Sequence, residues 1–184
     1  WNTSMVTSMA NMFNSAQSFN QNIGSWNVSN VTTFNNMFIV ATAFNNGGSS
    51  DINNWSLNTS TPVNMYAMFT SAINFNQPLN LWNTSAVTNM SSMFSNTTSF
   101  NQNIGSWNIS NVTNFYLFMQ GKTPATFSSS NLDAIYNGWG SRVVKPSLSI
   151  HFGTVKYTSA SATARAILSG APNNWSINDG GLTA

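Results

Sequence analysis

Tryptophan recurs at positions 1, 26, 55, 82 and 107, at intervals of 25, 29, 27 and 25 residues, and this period limits the fold more than any other feature of the chain. Residues 19–32, FNQNIGSWNVSNVT, return at 100–113 as FNQNIGSWNISNVT, with Ile109 in place of Val28. The surrounding pattern reads W-N-x-S-x-V-T-x-M-x-x-M-F and then F-N-Q-x-I-G-S. Self-similarity at such a spacing marks a chain of stacked units. No unit of this size can bury its apolar face alone, so neighbours must share one continuous core. Units beginning at Trp1, Trp26, Trp55, Trp82 and Trp107 cover residues 1–119 as a repeat region, and insertions such as GGSSDINN at 47–54 belong in loops.

The periodicity changes within a unit. Val6, Met9, Met12, Phe13 and Ala16 form an apolar stripe at helical spacing, repeated by Val87, Met90, Met93 and Phe94, which predicts a short helix with Thr7 or Thr88 at its N-cap. Phe19, Gln21 and Ile23 then alternate, which predicts a short strand before a Gly-Ser turn. The expected fold class is therefore α/β: a solenoid of ~25–29-residue repeats, each a short helix and a short strand.

Stacking accounts for the missing charge. The chain has 184 residues, only three Asp, no Glu and five Lys or Arg, but 31 Asn. Equivalent side chains in successive units become close neighbours, where like charges repel, while amides can hydrogen-bond along the stack. Such a ladder is expected at Asn20, Asn45, Asn76 and Asn101, flanked by Gln21, Gln77 and Gln102. The in-register aromatics Trp26, Trp82 and Trp107, with Phe19, Phe44, Phe75 and Phe100, are expected to form an inward core stack. Tyr66, Tyr116, Tyr136 and Trp139 fall outside the register and are read as exposed contact residues.

These residues carry a resemblance. W-N-x-S-N-V-T-x-M-x-x-M-F followed by S-F-N-Q-N-I-G-S-W resembles the BspA-like surface-protein repeat, also called DUF285, a relative of the leucine-rich repeat. The family pattern carries acidic residues where this chain has Asn22, Asn27, Asn103 and Asn108. The resemblance implies a right-handed, leucine-rich-repeat-like solenoid, an extracellular or cell-surface location and a role in adhesion or surface coating. It implies no enzyme activity.

Residues 120–184 depart from the repeat and are read as an α+β C-terminal capping segment. Helices are expected at 132–139 and 162–168, and strands at 148–158 and 174–179. At the other end Trp1 stands inside a repeat, so its coil is expected to lie open. The chain is accordingly read as a fragment, a processed form, or one whose end is covered by a neighbouring subunit, with Trp1 as the assembly end.

The chemistry-bearing residues are few. His151 is the only imidazole, there is no Cys, and no G-x-S-x-G elbow occurs. Three separate Asp give neither a calcium loop nor an obvious catalytic pair. No catalytic, cofactor-binding or metal residue is expected, and no cofactor. The five cations, Lys122, Arg142, Lys145, Lys156 and Arg165, are read as solvated side chains, too sparse to bind nucleic acid. No apolar run reaches the ~20 residues of a membrane span.

Eleven N-x-S/T sequons stand at Asn2, Asn27, Asn30, Asn54, Asn58, Asn83, Asn89, Asn96, Asn108, Asn111 and Asn174, mostly as products of the repeat itself. A surface so poor in charge has little electrostatic protection against association. The principal expectation is a non-enzymatic structural protein packing with identical subunits into a filament, sheath or coat, with glycans as covalent cover. The alternative is a monomeric adhesin module that binds a glycan or host protein.

Overall fold

A computed structural model describes residues 1–183. The expected helix at Val6–Ala16 is not formed. Tight turns follow one another instead: the N–H of Met12 donates to the Met9 carbonyl (3.3 Å) and that of Ala16 to the Phe13 carbonyl (3.1 Å). The third residue of each turn, Asn11 and Ser15, has φ of 60°, the left-handed place of a type II turn. Asn36 and Val40, Ala67 and Ser71, and Ser92 and Asn96 repeat the pair in later units. Four-residue turns put an apolar residue inward every three or four positions, so their sequence pattern coincides with that of a helix.

What turns leave unsatisfied, the neighbouring unit supplies. The N–H groups of Met9, Asn11, Phe13 and Ser15 donate to the carbonyls of Thr33, Asn35, Met37 and Ile39 at 2.8–2.9 Å. Phe34, Asn36, Phe38 and Val40 donate in the same way to Asn64, Tyr66, Met68 and Thr70, each at 2.9 Å. The backbone of this strip is thus hydrogen-bonded between units, as buried polar backbone requires.

Parallel pairing also lies elsewhere than expected. β1 (Val63–Asn64) and β2 (Val87–Asn89) pair with Val63 opposite Val87 and Asn64 opposite Asn89. Parallel bridges Ser8↔Thr33, Thr33↔Asn64 and Asn89↔Asn114 carry the row across five units. Thr88 therefore sits in a strand, and Thr7 accepts the N–H of Thr32 (2.9 Å), so neither caps a helix. Phe19–Ile23 forms no strand.

The core runs without interruption from Met9 to Trp175. Phe38, Phe69 and Phe94 stack at 5.4–5.6 Å between centroids, beside Phe44, Phe75 and Phe100 at 5.7–6.0 Å. Trp55, Trp82 and Trp107 form a third column, at 5.9 and 6.3 Å. Phe19 extends the second column onto Phe44, and Trp26 packs against Phe13 without stacking on Trp55; both stay half-buried. Each buried indole must place its N–H: Trp55 donates to the Ile23 carbonyl, Trp82 to Ile52 and Trp107 to Leu79.

The last part holds α1 (Ser129–Gly140), β3 (Ser149–His151), α2 (Ala162–Ser169) and β4 (Ser176–Asn178). The Ser128 hydroxyl caps α1 by accepting the N–H of Asn131 (3.2 Å), and Leu132, Ile135, Tyr136 and Trp139 give the helix one buried face. β3 and β4 pair in parallel, Ser149 opposite Ser176. α1 lies tight on the second copy of the duplicated motif: a β-carbon on Gly105 would stand 2.2 Å from the Ala134 carbonyl oxygen. In the first copy Gly24 meets Asp51, part of a 3-10 turn over Ser50–Asn54. Both glycines of the motif therefore permit a helical segment to approach the backbone.

Candidate functional surface

One polar column runs the length of the stack. The N–H of Asn45 donates to Oδ1 of Asn20 (2.7 Å), that of Asn76 to Oδ1 of Asn45 (2.9 Å), and that of Asn101 to Oδ1 of Asn76 (2.9 Å). Gln77 Nε2 donates to both O and Oδ1 of Asn45 (3.1 and 2.9 Å), and Gln102 Nε2 to the same pair on Asn76 (3.0 and 2.9 Å). Asn131 of α1 repeats the glutamine contact on Asn101, whose Oδ1 also accepts the N–H of Ser128. The amide column thus ties the repeats to the C-terminal segment. Gln21 is exposed at the first unit.

The charged residues are largely consumed inside the C-terminal segment. Lys122 is buried, and its Nζ donates to the carbonyls of Thr97, Thr98 (3.2 Å) and Phe100 (2.6 Å). Burial pushes this ammonium down to about 7. Arg142 donates to the carbonyls of Trp107 (3.2 Å) and Ser106 (3.0 Å). Arg165 pairs with Asp179 at 2.7 Å beneath the Tyr157 ring, and the Tyr136 hydroxyl donates to the same carboxylate (2.6 Å). Burial and that hydrogen bond both raise the Tyr136 phenol. Burial lowers the Arg165 guanidinium, but the Asp179 bond and charge outweigh it and the net shift is upward.

Asp133 accepts from the N–H of Thr158 (2.9 Å), the Thr158 hydroxyl (2.6 Å) and the Ser161 hydroxyl. Burial acts to raise its carboxyl, and these bonds overcome it and hold the group below its ordinary value. The reading of all five cations as solvated is corrected for Lys122, Arg142 and Arg165. Their grouping after residue 120, where the repeat stops, was the available signal of a structural role.

Two of the four proposed contact aromatics are also corrected. Tyr136 and Trp139 are buried, at 1% and 0% exposure, because α1 turns both into the core. Trp139 donates its indole N–H to the Ile104 carbonyl (3.3 Å), as Trp107 does one unit earlier. It therefore repeats the indole-to-carbonyl bond of the tryptophan column from a helix while its ring packs on Phe115, which counting along the chain could not show. Tyr66 and Tyr116 are exposed, at 41% and 56%, at equivalent places two units apart. The ring of His151 meets Tyr116 edge-on at 5.9 Å.

Trp1 is 89% exposed and stacks on Trp26 at 5.8 Å. Among the sequons, Asn58 and Asn89 are half-buried, while Asn2, Asn27, Asn30, Asn54, Asn83, Asn96, Asn108, Asn111 and Asn174 are exposed. They differ in engagement: Asn27, Asn83 and Asn108 use Oδ1 to accept the N–H two residues on, whereas Asn30 and Asn111 spend Nδ2 on carbonyls of the preceding unit. Among the described residues no three His, Cys, Asp or Glu side chains gather as a metal site, and no helix is long and apolar enough to cross a membrane.

No curated protein and no solved structure matches the chain. The sequence profile of the family described as "Mycoplasma protein of unknown function, DUF285" matches residues 1–56 and 49–131, the stretch in which the tryptophan column, the turn pairs and the amide column repeat. The chain belongs to the DUF285 family.

Proposed function

We propose that the chain is a non-enzymatic extracellular structural protein: a right-handed, leucine-rich-repeat-like solenoid that packs with identical copies into a filament, sheath or coat, with glycans on exposed sequons. The observation that carries this reading is where charge is absent. Residues 1–119 contain one charged side chain, Asp51, which accepts from Asn22. The polar part of their surface is otherwise amide and hydroxyl, repeated unit by unit, interrupted by exposed apolar side chains such as Met5, Ile73, Leu81 and Tyr116. Faces of this kind meet without charge repulsion and without stripping water from ions.

Electron microscopy of the native material, combined with intact mass, tests it. Ordered assemblies of a subunit heavier than the bare 20.0 kDa chain are expected. Dispersed particles of bare mass would defeat the reading.

Tyr66 and Tyr116 support a second reading, a monomeric adhesin gripping a glycan or host protein through these rings. Tyr116→Ala would then weaken attachment without changing particle size. Equal attachment by the variant would end this second reading.

A further inference from the structure

The third unit breaks the repeat: the segment after Trp55 reads SLNTSTPV where its neighbours read NVSNV and NTSAV. Insertions in stacked repeats fall on one face and frequently make a binding site. Here the extra residues form a loop, Thr59–Pro62, that walls an open cleft of about 440 Å³ floored by Ala86, Thr88, Asn111 and Thr113, with Lys145 from the C-terminal segment also lining it. The volume lies within the ~300–1,000 Å³ range of ligand sites.

Both walls are set in place before any ligand arrives. Oδ1 of Asn58 accepts the N–H of Ser60 (2.9 Å) and of Thr61 (3.1 Å), which folds the loop onto its own side chain. On the other side Arg142 anchors the segment to Trp107, Val144 is buried, and the indole of Trp175 donates to the Lys145 carbonyl (2.8 Å). Lys145 is thereby held over the cleft by its backbone while its ammonium stays exposed.

The polarity of the floor selects the ligand. Thr88 Oγ1 donates to the Val63 carbonyl (3.3 Å), and Thr113 Oγ1 to the Thr88 carbonyl (3.1 Å), so both hydroxyl protons are engaged and the oxygens remain as acceptors. Nδ2 of Asn111 donates to the Ser85 carbonyl (2.8 Å), which leaves Oδ1 as the floor's third acceptor beside one remaining amide N–H. A floor of acceptors calls for a ligand rich in hydroxyl donors, and the single ammonium calls for one negative charge. Inorganic phosphate fits this floor poorly, since its oxygens would face acceptor oxygens there, and only the loop hydroxyls of Thr59, Ser60 and Thr61 could donate to it. Pro62, Ala86 and the threonine methyls give the cleft apolar surface for the carbon face of a sugar ring.

We propose that this cleft binds an acidic saccharide, a pyranose bearing one carboxylate, with the carboxylate on Lys145 and the ring hydroxyls on Thr88, Asn111 and Thr113. The cleft is built within one chain, so the inference needs neither assembly nor adhesion, but it requires that Asn111 carry no glycan, its Nδ2 being held by the Ser85 carbonyl. Amide shifts of the full chain titrated with galacturonate, galactose and inorganic phosphate test it. Galacturonate should move the amides of Ser60, Thr61, Thr88, Asn111 and Thr113, and bind about tenfold more tightly than galactose. Lys145→Gln should remove that advantage and leave the weaker galactose binding unchanged; because Lys145 is exposed, the variant folds. Thr113→Val should weaken both sugars. Shifts confined to other faces, equal binding of the two sugars, an unaltered galacturonate affinity in Lys145→Gln, or phosphate binding as strong as galacturonate would each overturn the proposal.

Discussion

Gln102 grips Asn76 twice, donating from Nε2 to the main-chain oxygen at 3.0 Å and to Oδ1 at 2.9 Å, while that same Oδ1 accepts the N–H of Asn101. The column therefore works through acceptor oxygen. Asn76→Ala should cost about 1–3 kcal/mol, the loss expected when partly buried donors are left unpaired. Asn76→Asp keeps the oxygen and should cost less than Ala. Urea denaturation measures both; an aspartate variant as unstable as the alanine one would show that the oxygen is not what matters.

Gly105→Ala should destabilise by about 1–3 kcal/mol, because the new methyl would enter contact with the Ala134 carbonyl and push α1 off the last unit. Gly48→Ala serves as a control for space, since a β-carbon there meets nothing within 4 Å, although its φ of 82° adds backbone strain. Calorimetry of the two variants should show Gly105→Ala as the more damaging, and the reverse order would refute the close-approach account.

Lys122 gives the chain a predictable pH dependence. Its folded value of about 7 lies below the ~10.4 of an exposed lysine, so between those limits the unfolded chain binds the extra proton. Stability must then rise with pH from about 7 towards 10, by up to ~1.4 kcal/mol per pH unit. Lys122→Met removes this slope and leaves the carbonyls of Thr97, Thr98 and Phe100 without their donor. Thermal melts of both proteins across that interval decide the matter, and parallel curves would rule out titration of Lys122.

Asp179→Asn should cost about 3 kcal/mol, the lower end for breaking a buried ion pair, because the Arg165 side chain keeps 22% of its surface exposed. The Tyr136 hydroxyl loses its charged acceptor in the same step. Loss should appear first in hydrogen exchange of α1 and α2; uniform protection across the chain would mean the triad does not hold this segment.

Val40 has a left-handed backbone, φ of 59°, in a β-branched residue that disfavours it strongly. Val40→Asn should raise stability by about 0.5–1 kcal/mol through relief of that strain, offset in part by the half-buried side chain it gives up. A lowered melting temperature would show that packing outweighs strain there.

The repeat register was legible in the sequence because Trp55, Trp82 and Trp107 are large, rare and evenly spaced. The local structure of a unit was not, since Val6, Met9, Phe13 and Ala16 follow a spacing common to a helix and to consecutive type II turns. Only the left-handed residues separate the two, and Ser15, Val40 and Ala67 give no sign of that conformation in their side chains. Trp139 and Tyr136 looked out of register because a helix rises along the stack differently from a turn. The cleft beside Lys145 was visible only as an irregularity after Trp55, for its other wall lies far away along the chain.

The turn strip has one more consequence. From Met9 to Ser15, and again from Phe34 to Val40, every bond between units runs from an earlier N–H to a later carbonyl. Peptide dipoles in that strip therefore point along the stack and add, as they do in a helix. That strip thus acquires an electrical direction, negative towards the earlier unit and positive towards the later, so the two ways along it are not equivalent to anything that approaches it.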